Sequence, residues 1–130
     1  MAWYDECDNP KIISGYYSTL LPLNRIDLHE VVLHRDGPLL KLRGNLPVFP
    51  DRPSKRWPEQ ANTAQVTIAL WGVSSVSIRE WATTIEGTFA LERLGPQRLS
   101  FSFCSDATTI RGECDSARID EITAYIKGAA

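Results

Sequence analysis

The chain has 130 residues, 43% of them hydrophobic and 23% charged, enough for one domain with a real core over residues 1–130. Fourteen basic and sixteen acidic residues leave a net charge of −2, without the dense basic surface that a polyphosphate backbone requires, so no nucleic-acid partner is expected. No stretch approaches the roughly 18 apolar residues needed to span a bilayer, and Asp5, Glu6 and Asp8 precede any apolar run, the reverse of a secretory signal.

Asn9-Pro10 opens the first predicted element, with Asn9 placed to cap and Pro10 suited to a first helical turn. Ile12, Ile13, Tyr16, Tyr17 and Leu20 then recur at helical spacing, so the pattern predicts a helix that Gly15 weakens and Pro22 ends. Arg25–Arg35 reads as a strand whose apolar phase changes between Leu28 and Val31, which predicts a bulge near Glu30. Asp36-Gly37 is a strong turn signal, and Leu40, Leu42 and Leu46 resume the alternation, giving a hairpin.

Phe49–Gln60, FPDRPSKRWPEQ, interrupts this pattern; Pro47, Pro50, Pro53 and Pro58 make it a stiffened loop carrying Lys55, Arg56 and Trp57. Gln65–Trp71 is a strand broken by Gly72, and Val76 and Ile78 suggest a short one beyond it. Glu86–Leu94, the Gly95-Pro96 turn and Leu99–Phe103 form a second hairpin, with one more strand over Thr108–Glu113. The segment Ala117–Ile126 fits either a helix through Ile119, Ile122 and Ile126 or a strand, and a turn at Asp115-Ser116 favours a strand hairpinned to its predecessor. No internal repeat is visible. The expected class is therefore α+β: an N-terminal helix packed on a curled, mostly antiparallel sheet of about seven strands.

The chemistry-bearing residues are sparse. There is no GxSxG, no glycine-rich phosphate loop and no CxxC, so neither cofactor nor metal is implied and the chain does not read as an enzyme. Cys7, Cys104 and Cys114 read as free thiols of a reducing cytoplasm. His29 and His34 lie five apart on one strand, an odd spacing that sends them to opposite faces unless a bulge intervenes. Glu113, Asp115, Asp120 and Glu121 form a late acidic group that reads foremost as solvated surface.

Among the tryptophans, Trp3 and Tyr4 are placed to staple the N-terminus to the sheet, Trp71 to pack against the core and Trp81 to be partly buried. Trp57 admits two readings. It tucks back as a lid on the sheet, or it anchors a partner, since tryptophan and arginine dominate binding hot spots once desolvated. In either case the prolines reduce the entropy lost on docking.

Trp3-Tyr4, Asn9-Pro10, Tyr16-Tyr17, Arg35-Asp36-Gly37-Pro38, Phe49-Pro50-Asp51-Arg52-Pro53 and Arg56-Trp57, in that order, make the chain resemble the immunity protein 50 family of bacterial polymorphic toxin systems. The resemblance implies a cytoplasmic binder that neutralises a cognate toxin domain in a tight complex, acting as a monomer or weak homodimer. It carries over no catalytic residue. The partner-binding residues expected from the sequence are Asp51, Arg52, Lys55, Arg56 and Trp57, with Glu113, Asp115, Asp120 and Glu121 as a second group. Two competing readings are a small-ligand-binding or enzymatic domain using a pocket in the curled sheet and a self-associating structural module.

Overall fold

Eight strands form one entirely antiparallel sheet: β1 (Arg25–His34), β2 (Leu39–Asn45), β3 (Thr63–Trp71), β4 (Ser75–Arg79), β5 (Glu86–Gly95), β6 (Arg98–Ser105), β7 (Thr109–Cys114) and β8 (Ser116–Tyr125). The computed structural model describes residues 2–128. The strand order is β4-β7-β6-β5-β1-β2-β3-β8.

The α+β expectation is overturned: the chain is nearly all β. In place of a helix running to Leu20, the N-terminal stretch has a 3-10 turn at Trp3–Glu6 and a six-residue helical segment, Lys11–Tyr16. Ile13 and Tyr17 are buried and Ile12 and Tyr16 pack against the core, but Tyr17 is already extended and Leu20 is exposed, so the apolar spacing outruns the single helical turn. Asn9 is committed elsewhere, and the Ser14 hydroxyl bonds back to the Lys11 carbonyl, competing with helical pairing.

Two bulges explain the irregular apolar phases. Leu28 stands opposite Gly44 and Glu30 opposite Arg43, so His29 is the extra residue and Val31 returns to the core face beside Leu42. In β8, Ile119 faces Ile68 and Glu121 faces Thr67, leaving Asp120 as the extra residue. That bulge lets Ile119 and Ile122 both point inward, although their spacing of three imitates a helix. The terminal segment is thus a strand, but not in the expected hairpin: β8 pairs with β3, and β7 with β4.

A single residue, Asp115, separates β7 from β8, and Gly72-Val73-Ser74 separates β3 from β4. The two corners lie together, with Asp115 N–H donating to the Trp71 carbonyl at 2.8 Å and Ser74 N–H to that of Glu113 at 3.0 Å. The nominal ends of the sheet are continuations of strands inside it, so it curls back on itself. The interior is filled by Leu40, Leu42, Val66, Ile68, Phe101 and Phe103, all buried. A void of only about 10 Å3 remains among Leu28, Leu42, Val66, Ile68, Phe89 and Phe103. A curled-sheet ligand pocket has no room here, because those side chains occupy it.

The pairing has a two-fold regularity that the sequence does not show. Exchanging β1-β2-β3-β4 with β5-β6-β7-β8 leaves the set of paired strands unchanged. The β1–β5 contact lies on this axis, with Arg25 opposite Thr88 and Asp27 opposite Glu86. Even the flanking bonds repeat: Leu28 N–H donates to the Ile85 carbonyl at 2.7 Å, and Phe89 N–H to that of Asn24 at 2.8 Å.

The N-terminal segment breaks this symmetry by sealing one edge. Asp8 N–H donates to the Ala117 carbonyl at 2.8 Å. Asn9 accepts from Ile119 N–H through Oδ1 and donates from Nδ2 to the Ile119 carbonyl, both at 2.8 Å, so one side-chain amide imitates a paired strand residue along β8. Trp3 packs edge-on to Phe89 at 5.5 Å and donates from Nε1 to the Leu23 carbonyl, the stapling its position in the sequence implies.

Candidate binding surface

The proline-rich segment between β2 and β3 is bound to the N-terminal stretch at several points. Asp51 accepts hydrogen bonds from the Ser18 amide at 2.9 Å and from the Ser18 hydroxyl. These two donors hold its carboxyl below the usual range, the hydroxyl contributing most. Arg52 N–H donates to the Tyr16 carbonyl at 3.0 Å, and its guanidinium reaches the Ser14 carbonyl at 3.3 Å.

Trp57 resolves toward the lid. Its ring stacks on Tyr16 at a centroid distance of 5.0 Å with 1° between planes, and Phe49 meets it edge-on at 6.1 Å. Asp51, Arg52 and Trp57 therefore hold the loop in place, while the Lys55 and Arg56 side chains stand exposed without an ion-pair partner among the described residues.

The acidic group does not converge. Glu113 is ion-paired with Arg98, and Asp115 sits at the β7–β8 corner beside Gly72. Asp120 bonds Lys41 at 3.0 Å, and Glu121 is exposed on β8 opposite Thr67. The corner and the proline-rich loop lie at opposite ends of β3, roughly 25 Å apart by strand rise. The two predicted groups are thus separate surfaces.

Three features escaped the sequence reading. On the outer face of β1, β2, β3 and β8, the buried amide of Asn45 accepts from Gln65 at 3.2 Å and from the Tyr125 hydroxyl at 3.0 Å and meets His29 Nε2 at 3.2 Å. Arg43 extends this network, donating to Gln65 at 2.8 Å and to Glu30 at 3.2 Å. Four strands contribute, so no local spacing could reveal it.

The second feature is a trough. One stretch of about 250 Å3 lies between Pro47, Phe49 and Asp27, another of about 510 Å3 between Asp27, Arg43 and Trp81, and both share Asp27 and Lys127. It leads from the proline-rich loop to the loop after β4.

The third is Trp81 itself, 53% exposed rather than partly buried, and following Glu80 at φ 62°, a left-handed conformation that non-glycine residues rarely adopt. Trp71 is likewise on the outside, over the β1–β2 turn and near Gly37.

All three cysteines are free, Cys7 and Cys114 buried and Cys104 exposed. No helix among the described residues is long and apolar enough to cross a membrane, and no cluster of three metal-ligating side chains occurs among them.

Neither the curated proteins nor the solved structures provide a match. The family model for immunity protein 50 matches residues 9–125, from the asparagine that seals β8 to the tyrosine that ends it. With nine-tenths of its length so matched, the chain belongs to the immunity protein 50 family.

Proposed function

We propose that this protein protects its cell by binding a cognate toxin domain one-to-one and occluding a surface that the toxin needs. The family membership over residues 9–125 carries this reading. The filled interior supports it over a ligand-binding or enzymatic alternative, since the curled sheet offers outer surfaces and loops in place of an internal cavity. The protein is then a binder whose work is done by complementarity.

The contact surface proposed here starts at the proline-rich loop. Lys55 and Arg56 meet the toxin, while Asp51, Arg52 and Trp57 keep the loop in its docking conformation, so little entropy is lost on binding. The trough past Asp27 and Lys127 extends that surface toward Trp81. Glu113, Asp115, Asp120 and Glu121 remain a second contact group, on a different part of the molecule.

The test is co-purification with the catalytically inactivated toxin domain encoded beside this chain, together with an assay of the active toxin. The expected result is a stoichiometric complex and loss of toxin activity at equimolar protein. Full toxin activity in a large excess of this protein overturns the proposal.

A further inference from the structure

The two-fold regularity of the sheet identifies a position that is filled in one half and open in the other. β8 and β4 are equivalent under the exchange of halves, as are the pairs Val66–Ile122 on β3–β8 and Ile110–Ile78 on β7–β4. Ile78 therefore stands where Ile122 does, and Val76 where Ile119 does, one bulge residue aside.

Their surroundings differ sharply. Ile119 and Ile122 are 1% and 6% exposed, and Asp8 and Asn9 are bonded to the β8 edge at Ala117 and Ile119. Val76 and Ile78 are 37% and 40% exposed. Beyond its pairing with β7, no hydrogen bond among the described residues reaches β4, so its far edge presents unpaired backbone donors and acceptors.

An open strand edge beside an apolar pair specifies the chemistry of its occupant: an extended polypeptide whose backbone completes the ladder and whose alternate side chains are apolar. We infer that β4 receives an extended segment of the toxin, taking the place that the protein's own Asp8 and Asn9 take on β8. This inference rests on the toxin-binding reading above. Val76 and Ile78 receive the apolar side chains, and Trp81 anchors the end of the added strand.

Two observations favour the toxin over a second copy of this chain as the occupant. Two five-residue edges paired alone bury far less than the roughly 800 Å2 per partner of a stable interface. Trp81, in contrast, lies on the trough that runs by Asp27 and Lys127 to Phe49, so a single larger partner covers β4 and the proline-rich loop together.

The experiment measures binding of the inactivated neighbouring toxin domain to wild type, Ile78→Lys and Trp81→Ala, with amide hydrogen exchange of residues 75–81 in the free and bound protein. Both side chains are solvent-accessible, and unchanged thermal melts certify that the variants fold. The expected result is at least a tenfold weaker Kd for each variant and slowed exchange at 75–79 in the complex. Wild-type affinity in folded Ile78→Lys, or unchanged exchange at 75–79 while other segments gain protection, overturns the assignment and leaves the immunity reading intact. A wild-type protein that fails to bind the toxin overturns the immunity reading itself. A concentration-dependent dimer of the protein alone, abolished by Ile78→Lys, identifies a second copy as the occupant and also overturns the assignment.

Discussion

A β-carbon on Gly72 would stand 2.6 Å from the carboxylate carbon of Asp115. These two residues are the corners at which the long paired strands turn, and Gly72 turns with φ +68°. Replacing it with alanine introduces backbone strain of roughly 1–3 kcal/mol and a collision. Gly72→Ala is expected to lower the urea midpoint accordingly, and adding Asp115→Ala to relieve only the clash with the carboxylate, since the residue-115 β-carbon still stands at 2.9 Å. Recovery of full stability in the double variant would show that conformation contributes nothing at this corner.

Asn9→Ala removes both hydrogen bonds to Ile119 and leaves that strand residue without its edge partner. The expected cost is about 1–3 kcal/mol, read from chemical denaturation, with faster amide exchange at residues 117–122. Asn9→Asp keeps the acceptor and loses the donor, so it should fall between wild type and alanine.

Asp51 gives the loop a defined acid response. Its carboxyl is lowered by the Ser18 hydroxyl and amide, so the ionised form is the one the fold favours. A group depressed in the folded state contributes stability above its unfolded pKa, about 3.9 for aspartate, and that contribution disappears as pH falls through the lower folded value. Trp57 fluorescence, which reports the stack on Tyr16, should therefore change on acidification below about pH 4. In Asp51→Asn that transition should be absent, and its persistence would assign it to another group.

The three thiols should separate by reactivity. Burial pushes Cys7 up to about 12, with Asp8 adding to the effect, and Cys114 up to about 11, with Asp115 adding. Cys104 is exposed. One thiol is expected to react promptly with a disulfide reagent in native buffer, and the other two only after unfolding. Because both buried thiols favour the protonated form in the folded state, their contribution is present below about pH 8.5 and declines as pH rises through the range up to their folded values.

Lys55 and Arg56 supply the charge test of the proposed contact. Replacing both with serine should change stability by no more than about 0.5 kcal/mol per site, since exposed cations without partners contribute little. Association with the toxin should slow in the variant, and its dependence on salt should weaken. An unchanged rate would exclude this loop from the docking surface.

The strands were legible where one face is buried and turns are marked by glycine: Asp36-Gly37, Gly95-Pro96 and the alternations through Val66–Leu70 and Leu99–Phe103 all appear in the structure. The bulge near Glu30 was legible for the same reason, because a phase change within one strand admits few other solutions. The N-terminal stretch was not, since Ile12 to Leu20 has helical spacing while Trp3 and Asn9 before it are drawn to β5 and β8, and Tyr16 and Ser18 within it to the proline-rich loop. Nor was the partner of β8: the short Asp115 link suggests a hairpin, and only the corner shared with Gly72 redirects it to β3. The candidate surface was half legible. The loop could be seen from its prolines, but Lys55 and Arg56 could not be told from the anchored Asp51 and Arg52 until Ser18 and Tyr16 were placed beside them. The β4 edge needed the topology, because Val76 and Ile78 look like any buried pair in an alternating strand.

The crossed pairing of the halves also constrains when the sheet can close. β3 waits for β8, and β4 for β7, so neither half can complete its own ladder while the ribosome is still making the other. A nascent chain halted after β6 leaves β3 paired on one side only, with β2, and β4 with no partner strand. An unfinished copy therefore cannot present the finished surface, and every strand of the chain has to be made before any of its outer faces is complete.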